Sequence, residues 1–495
     1  MICGGLVREV IKKVIGFCER YGVYLALLAF IALFVAGLRV LDESDGGLLQ
    51  LRNARSDFED YYNASRRMAE HGDLYNMEAM RNMENSGDPG IDVNNPLELL
   101  QFSMTPEGRA YLESLKGAGS YLYLPFFAFL LLPLSFIGYE VAVLVFQISC
   151  MFLLWYFFVL IRKQHEKMDR ERFWYLALLS MLPVASFLSE NSANANVGFL
   201  LIFLAGAGLL FSSPDLAGGE DSDASQNPKW SYLGGILLGI AAVIKIMPAI
   251  LGLFLLARRN FRAIGSAVLT GLLCLIVPIL YAGWSLNLQW HLDWYDLMIN
   301  TYSQYGVVRP YANNQTISAA FSKLFVAGSD PDKQAMAGLP LLFHSLEDLG
   351  TTGAFWLRTA IKTFVYSLIV AVTALAFLFS FRRKFLRPDR RLARVYFVQA
   401  LILVSLLVSG VSWFHAYSLL LIPLAFRLFG SEPLLTQEKW MIGLIAFSGL
   451  GNMLFGGHLR DLLAMYSVHA WLMFILCVWS ILFTLRIMRK ETEYV

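Results

Sequence analysis

Apolar residues occur along this chain in blocks of about 20, separated by polar loops that carry most of the charge. An α-helix of that length crosses the roughly 30 Å of hydrocarbon in a bilayer. The blocks predict about 12 crossings, if the long block at 231–257 forms two crossings or a re-entrant hairpin. The predicted membrane segments lie at 22–41, 139–161, 173–189, 197–212, 231–257, 263–282, 355–381, 395–412, 416–429, 440–456 and 464–486.

Basic clusters predict the orientation of these segments. They occur at 162–172, at 258–262 and at 382–394. Short loops rich in lysine and arginine stay on the cytoplasmic side of a membrane. With the three clusters inside, two long polar regions, 42–138 and 283–354, are predicted to lie on the outer side.

Both outer regions contain segments that are suited to lie along the membrane surface. Residues 121–137 are apolar but carry Pro125 and Pro133, so they are predicted to form a helix at or dipping into the outer face. The second region is rich in aromatic residues of the kind that favour the boundary between lipid and water. These residues are Trp284, Trp290, Trp294 and Tyr295.

The composition agrees with a membrane protein. The chain is 57% hydrophobic and 16% charged, whereas a soluble chain carries about 25% charged residues. The predicted fold class is therefore an all-α polytopic integral membrane protein, with one domain over residues 1–495. A Gly-rich phosphate loop, a CxxC pair and an HExxH motif do not occur in the sequence, which argues against a nucleotide-driven pump and a zinc protease.

The first outer region begins with an acidic and aromatic motif. Asp57, Glu59, Asp60, Tyr61 and Tyr62 fall within six residues, just beyond the first membrane segment. Asp57 and Tyr61 share a face if this stretch is helical. A carboxylate beside a low-dielectric surface has a raised pKa, which suits a general base. Asp57 is the predicted base; a solvated surface carboxylate is the plain alternative, and spacing does not exclude Glu59 or Asp60.

Other polar groups stand at or near the ends of apolar segments on the outer side. Tyr123 precedes the surface helix, where an aromatic belt is the plain interpretation. Glu190 and Asn191 end the third membrane segment, where a short polar hairpin would suffice. Lys245 lies inside an apolar stretch just before Pro248, and a lysine at membrane depth indicates function by default.

The second half of the chain supplies four further candidates. Arg309, Asn314 and Gln315 lie in the second outer region, where an ordinary loop is the alternative. His415 follows Trp413 at a junction between two apolar segments. A single histidine is more often structural, but this one is predicted on the same side as Asp57.

Six motifs in order resemble a known family. The chain resembles the GT-C membrane glycosyltransferases that use polyprenyl-phosphate sugars, and most closely glycosyltransferase family 87, which includes mycobacterial mannosyltransferases that act on phosphatidylinositol mannosides. The motifs are Asp57-Phe58 with Tyr61-Tyr62; Gly72-Asp73-Leu74-Tyr75; Tyr123-Leu124-Pro125 with Pro133-Leu134; Gly235 to Arg259 with Gly239, Lys245 and Pro248; Asn314-Gln315-Thr316; and Trp413-x-His415.

Two departures from the family pattern concern substrate contacts. Leu124 stands where the family has the first proline of a Tyr-Pro-Pro motif. The family's Gly-Gln-x-Asn, between the third and fourth membrane segments, is replaced by Glu190-Asn191 followed by Asn194 and Asn196. Contacts to the donor or the acceptor are expected to differ there.

The resemblance implies a GT-C-like fold and an inverting sugar transfer. Asp57 would deprotonate an acceptor hydroxyl, and the resulting nucleophile would attack the anomeric carbon of a polyprenyl-phosphate sugar. Cations would hold the leaving phosphate, and the candidates for this role are Lys245, Arg309 and His415. The remaining predicted substrate contacts are Tyr61, Tyr62, Tyr123, Glu190, Asn191, Asn314 and Gln315.

The same resemblance implies the cellular setting. The expected partners are the lipid-linked donor, a glycolipid or glycan acceptor and membrane lipids, without nucleic acid. Neither a metal nor another cofactor is expected. The expected location is a bacterial inner membrane with the active site facing the periplasm, where nucleotide sugars are absent and a donor must already be carried by a lipid. The sugar would be mannose or another hexose or a pentose.

Two other classes of function stay open. A flippase for lipid-linked saccharides, or a solute carrier, also needs polar groups at membrane depth, although such proteins usually contain repeats. An O-antigen polymerase or ligase also has many spans and a large outer loop, but it typically uses arginines and a histidine there. Sugar transfer in detergent separates the enzymes from a carrier.

Overall fold

A computed structural model describes residues 9, 13–38, 56–77, 121–218, 228–300, 313–325, 350–454 and 462–489. Within these ranges the chain forms helices joined by short connections, without a β-strand. The predicted all-α membrane class is therefore confirmed.

The helices of the first half are α1 (Lys13–Arg20), α2 (Gly22–Gly37), α3 (Asp57–Ala69), α4 (Pro125–Leu131), α5 (Tyr139–Arg162), α6 (Arg170–Met181), α7 (Ala185–Ala193), α8 (Gly198–Ser212) and α9 (Pro228–Ile244). Those of the second half are α10 (Gly252–Ala257), α11 (Phe261–Ile276), α12 (Ile279–Tyr295), α13 (Ile317–Phe325), α14 (Gly350–Phe381), α15 (Arg391–Val408), α16 (Leu421–Leu428), α17 (Thr436–Leu454) and α18 (Val468–Arg489). Short 3₁₀ helices follow several of these or lie between them, at Leu132–Phe136, Leu182–Val184, Pro214–Ala217, Met247–Leu251, Arg383–Leu386, Pro388–Arg390 and Phe414–Leu420.

Five helices in the described ranges are long and apolar enough to cross a membrane, or seven if each of two bent pairs is one span. The bent pairs are α1 with α2, at 78°, and α11 with α12, at 86°. Other predicted spans are apolar helices of 10–17 residues, among them Gly198–Ser212 and Met247–Ala257. The predicted number of about 12 crossings and the GT-C arrangement thus stay predictions.

Helix α3 carries the acidic motif, and its sequence explains where it begins. Ser56 caps the helix, because its hydroxyl accepts a hydrogen bond from the backbone N–H of Glu59 at 3.2 Å. Acidic residues fill the first turn, and Arg66 and Arg67 lie in the last, as the helix dipole favours. The apolar residues recur at helical spacing and form one buried face: Phe58, Tyr61, Tyr62, Ala64 and Met68.

That buried face packs on the short helical segment Pro125–Phe136, which precedes α5. The hydroxyl of Tyr62 donates to the carbonyl oxygen of Ile137 at 2.8 Å, and that of Ser65 donates to Ala128 at 3.1 Å. In this segment α4 continues directly into the 3₁₀ helix Leu132–Phe136, and Pro133 lies at the start of the 3₁₀ helix. The predicted short helix in 121–137 is therefore present, and α3 packs on it.

Helix α12 holds the end of α3 from another side. The indole of Trp290 donates to the carbonyl of Gly72 at 3.0 Å, and that of Trp294 to Leu122 at 3.3 Å. Trp284 and Tyr295 are exposed, whereas Trp290 is only 1% exposed, because its indole lies inside the protein against the carbonyl of Gly72. The prediction that these aromatic residues lie at the boundary between lipid and water stays a prediction.

A network of ion pairs, in which the arginines are buried, joins the helices at the end marked by basic loops. Arg394 pairs with Asp215, and Arg391 pairs with Glu432. Arg427 contacts Glu438 through two nitrogens, each at 2.7 Å, and both side chains are almost fully buried. The network ties α15, α16 and α17 to the turn after α8.

Candidate active site

Asp57 is the first residue of α3, and a turn between α7 and α8 holds it. Its backbone N–H donates to the carbonyl of Asn194 at 3.1 Å. One carboxylate oxygen, Oδ2, accepts a hydrogen bond from Nδ2 of Asn196 at 2.8 Å. The side chain is 23% exposed, so the carboxylate is recessed but reachable.

The turn that holds Asp57 has an unusual backbone. Ala195 has a φ of 46°, in the left-handed region that ends α7 and starts α8. Asn196 follows and is 4% exposed. Its Oδ1 accepts the backbone N–H of Gly198 at 3.1 Å, which turns its amide nitrogen toward Asp57. A backbone acceptor, the carbonyl of Asn194, and a side-chain donor, the amide of Asn196, thus both bind Asp57 at the start of α3.

Two tyrosines extend this network. The amide of Asn196 lies 3.2 Å from the hydroxyl of Tyr61, one helical turn after Asp57. The Tyr61 hydroxyl lies 2.8 Å from that of Tyr123, and the two rings meet edge to face. Asp57, Asn196, Tyr61 and Tyr123 therefore form one connected polar group, although they come from three separate parts of the chain.

Lys245 brings a positive charge to this group. It lies just after α9, where Pro248 and the 3₁₀ turn Met247–Leu251 interrupt the apolar stretch. Its ammonium is 6.0 Å from the centre of the Tyr123 ring. The charge of Lys245 also acts on Asp57 and His415, so the lysine lies near both side chains. The predicted break in 231–257 is thus what delivers the lysine to the site.

His415 completes the arrangement from the second half of the chain. It is buried in the 3₁₀ helix Phe414–Leu420, and its ring meets that of Trp413 at 5.9 Å. Its Nε2 lies 4.0 Å from Oδ2 of Asp57. That separation is too long for a hydrogen bond, but catalytic contacts often shorten only when substrate is bound.

The surroundings of Asp57 change its acidity. Burial raises the pKa of the carboxyl, while the hydrogen bond from Asn196 and the charge of Lys245 lower it in part. The net direction is upward, which is the direction that improves a general base. Burial also raises the pKa of Tyr61 and Tyr123, and Asp57 adds to both shifts, so the two phenols stay neutral.

The three carboxylates of the motif differ in their connections. Asp60 also acts on the pKa of Tyr61 and of Tyr123, but less than Asp57 does. Glu59 contributes its backbone N–H to the cap at Ser56. Asp57 binds Asn196, lies near His415 and interacts with the charge of Lys245. The assignment of Asp57 as the base stays a prediction, with Glu59 and Asp60 as the alternatives.

Asn314 and Gln315 lie behind His415, where they brace the loop that precedes it. Oδ1 of Asn314 accepts the backbone N–H of Ser412 at 3.2 Å, and the backbone N–H of Gln315 donates to the carbonyl of Ser412 at 2.8 Å. Nε2 of Gln315 donates to the carbonyl of Ala464 at 3.2 Å. These contacts support the position of the histidine, and the predicted substrate contact stays a prediction.

Four other predicted substrate or phosphate contacts have different surroundings. Tyr62 donates its hydroxyl to the carbonyl of Ile137, at the end of the short helix on which α3 packs. Glu190 is exposed at the end of α7, where Asn194 binds its backbone carbonyl at 2.8 Å. The amide of Asn191 is buried and has no hydrogen-bond partner in the described ranges. Arg309 lies outside the residues that the structure describes.

Asn196 was missed as a site residue, although the sequence held a signal. Three asparagines, at 191, 194 and 196, follow the third membrane segment. Side chains of this type favour turns and tolerate left-handed backbone, so the pattern predicts a turn. It does not show which asparagine faces a residue 139 positions away.

The described ranges contain no group of three or more His, Cys, Asp or Glu side chains that could hold a metal ion. The expectation that the reaction needs no metal stays a prediction.

Comparison with known proteins identifies the family to which this chain belongs. The profile of glycosyltransferase family 87 matches residues 121–410, which is more than half of the 495 residues. Comparisons with curated proteins and with solved structures return no match. Tyr123, Asn196 and Lys245 lie within the matched range, whereas Asp57 lies well before it and His415 just beyond its end. The resemblance seen in the motifs is confirmed: the chain belongs to glycosyltransferase family 87 and is a membrane glycosyltransferase.

Proposed function

We propose that the protein is an inverting transferase that moves a sugar from a polyprenyl phosphate to a lipid-linked or glycan acceptor, with Asp57 as the general base. The observation that carries this proposal is the convergence of Asp57, Asn196, His415 and Lys245 on one region. A recessed carboxylate with a raised pKa beside a lysine provides a base and a cation within one site.

The reaction follows from these groups. Asp57 takes the proton of an acceptor hydroxyl, whose oxygen forms a bond to the anomeric carbon of the donor sugar. The bond between that carbon and the phosphate oxygen breaks at the same time, and its electron pair leaves with the polyprenyl phosphate. Attack from the face opposite the leaving group inverts the anomeric centre. The charge that develops on the phosphate calls for donors placed in advance.

Lys245 and His415 are the candidates for that role. The lysine supplies charge beside the ring of Tyr123, and the histidine supplies a ring N–H close to Asp57. Arg309, which lies outside the described residues, is the third candidate. A lipid-borne donor suits a lysine that follows an apolar helix, because a polyprenyl tail can stay among the apolar helices while its phosphate meets the ammonium.

The setting is the outer face of a bacterial inner membrane. The support is the charge pattern: α5 ends at the basic cluster 162–172, and α3 lies toward the other end of α5, where Ser56 contacts Tyr139 at 2.9 Å. Mannose is the first sugar to test, with other hexoses and a pentose after it, because the resemblance includes mannosyltransferases.

The test uses purified protein in detergent with polyprenyl-phosphate mannose and a panel of glycolipid acceptors. The expected result is a mass gain of one hexose on an acceptor, and Asp57→Asn should abolish it while it keeps the wild-type melting temperature. Asn63→Asp is a control in the same helix, since it adds a carboxylate without touching Asp57. Transfer by Asp57→Asn at the wild-type rate would remove Asp57 from the mechanism.

Two further outcomes separate the classes of function. Slow release of free mannose, without a glycosylated acceptor, would show that the protein uses this donor and that the true acceptor is not among those tried. An unconsumed donor, together with lipid translocation in vesicles that needs no donor, would reject the proposed reaction and favour a carrier.

A further inference from the structure

Asn196 occupies a position from which it can determine how Asp57 works. Its Nδ2 lies 2.8 Å from Oδ2 of Asp57 and 3.2 Å from the hydroxyl of Tyr61. Its Oδ1 accepts the backbone N–H of Gly198 at 3.1 Å. The backbone N–H of Gly198 can only donate, and the ionised carboxylate of Asp57 can only accept. A flipped amide would set its NH2 against the N–H of Gly198, donor to donor, and its oxygen against Asp57, acceptor to acceptor, so both bonds would be lost. The hydrogen-bond network therefore admits one orientation of this side chain.

The two oxygens of Asp57 are consequently not equivalent. Oδ2 accepts from Asn196 and is also the oxygen nearest to Nε2 of His415, at 4.0 Å. Oδ1 has no hydrogen-bond partner within the described residues, and it is not among the buried polar atoms. One oxygen is thus held by the protein, and the other is open.

We propose that Asn196 is a positioning residue that binds Oδ2 of Asp57 and so presents Oδ1 as the atom that takes the proton of the acceptor hydroxyl. This inference rests on the proposed function of Asp57 as the base. Because the same amide also binds Tyr61, it sets the carboxylate against the tyrosine pair that lies beside Lys245. Asn196 therefore fixes the position of the base, Asp57, relative to Lys245, which would hold the leaving phosphate.

The turn around Asn196 is built to hold this geometry. Its backbone N–H donates to the carbonyl of Asn191 at 3.0 Å, and the carbonyl of Asn194 accepts from the N–H of Asp57 at 3.1 Å. Asp57 is therefore attached to the turn at two points, through its backbone and through its side chain. The hydrogen bond from Asn196 also favours the ionised carboxylate against the effect of burial.

The test reads the protonation of Asp57 without turnover. A hydrophobic carbodiimide, dicyclohexylcarbodiimide, adds to protonated carboxyl groups in apolar sites, and mass spectrometry of the peptide that contains Asp57 measures the adduct. In the wild type the adduct should increase as the pH falls. In Asn196→Ala the same increase should occur at higher pH, with about tenfold more adduct at a pH where the wild type is mostly unlabelled, since a hydrogen bond to a charged group is lost.

Asn194→Ala is the matched control. Asn194 lies in the same turn, and its alanine variant loses the same kind of side-chain amide. That amide binds the backbone carbonyl of Glu190 at 2.8 Å and not Asp57. Its labelling curve should coincide with that of the wild type. Asn196→Asp keeps the shape and the acceptor for Gly198 but replaces the donor by a carboxyl group, so it should also displace the curve of Asp57 and serves if the alanine variant fails to fold.

Sugar transfer is measured on the same preparations. Asn196→Ala should lose activity near neutral pH and regain part of it as the pH rises, whereas Asp57→Asn should not recover. An active wild type with coincident labelling curves for Asn196→Ala, Asn196→Asp and Asn194→Ala would overturn the role of Asn196. A wild type that transfers no sugar from any donor would instead overturn the proposed function.

Discussion

The ion pair between Arg427 and Glu438 offers a quantitative test of the packing that supports the site. Both side chains are almost fully buried, at 3% and 1% exposed, and they contact each other through two hydrogen bonds of 2.7 Å. Glu438 also accepts from the hydroxyl of Tyr396 and from the backbone N–H of Leu435. Arg427→Met would leave the carboxylate buried with these two neutral donors alone.

The expected cost of that change is about 3–5 kcal/mol of unfolding free energy, because removal of one partner leaves an uncompensated buried charge. Arg427→Met/Glu438→Leu removes both charges and should regain most of the loss, since a buried pair replaced by apolar groups is often neutral. Part of the loss should persist in the double variant. The hydroxyl of Tyr396 and the backbone N–H of Leu435 both lose their acceptor, and the carbonyls of Glu432 and Pro433 lose the donors of Arg427. The share of Tyr396 is about 1–3 kcal/mol, and adding Tyr396→Phe should remove it.

The assay is thermal unfolding in detergent at one fixed scan rate, since membrane proteins often unfold irreversibly. The order of apparent melting temperatures should be wild type, then the triple, the double and the single variant, with the single variant lower than the wild type by on the order of 5–10 °C. Arg387→Met, at a partly exposed pair with Asp389, is the control and should change little. A double variant no more stable than Arg427→Met would refute the assignment of the loss to a stranded charge.

Two further predictions concern catalysis. Burial raises the pKa of Asp57 above the 3.8 of an ordinary aspartate. As the pH falls through this raised pKa, the base becomes protonated and kcat/KM should fall. A profile of kcat/KM that stays flat down to pH 3.8 would show that Asp57 is not the base. Lys245→Met should lower kcat by roughly 10–100-fold through weaker stabilisation of the leaving phosphate and move the acid limb upward, while Lys245→Arg should retain part of the rate. Equal rates for Lys245→Met and the wild type, measured at saturating donor, would exclude the lysine from the phosphate site.

Helix positions could be predicted from the sequence because the length of an apolar block is a local property. Residues 139–161 were expected as a span, and the helix is Tyr139–Arg162. The break at Lys245 was also predicted, since Pro248 cannot continue a regular helix. The count of crossings could not be settled in this way, because several apolar helices are too short to decide between a full and a partial crossing.

Only some of the residues of the candidate site could be predicted from the sequence. A carboxylate beside two tyrosines and a lysine in an apolar stretch are unusual by themselves, so Asp57 and Lys245 were found. The partner of Asp57 was not, because the contact with Asn196 joins residues 139 positions apart and periodicity does not show which loops meet. For the same reason the sequence does not show that the indole of Trp290 is buried against the carbonyl of Gly72, 218 positions away.

The separation of these residues along the chain has a consequence for biosynthesis. A ribosome completes α3 and its carboxylate long before it adds the turn with Asn196, the break with Lys245 and, last, the 3₁₀ helix with His415. A nascent chain therefore contains the base well before it contains the groups that hold it. The site comes into existence only when the final third of the protein has been inserted and packed, so a product that stops before residue 415 carries Asp57 without the histidine beside it.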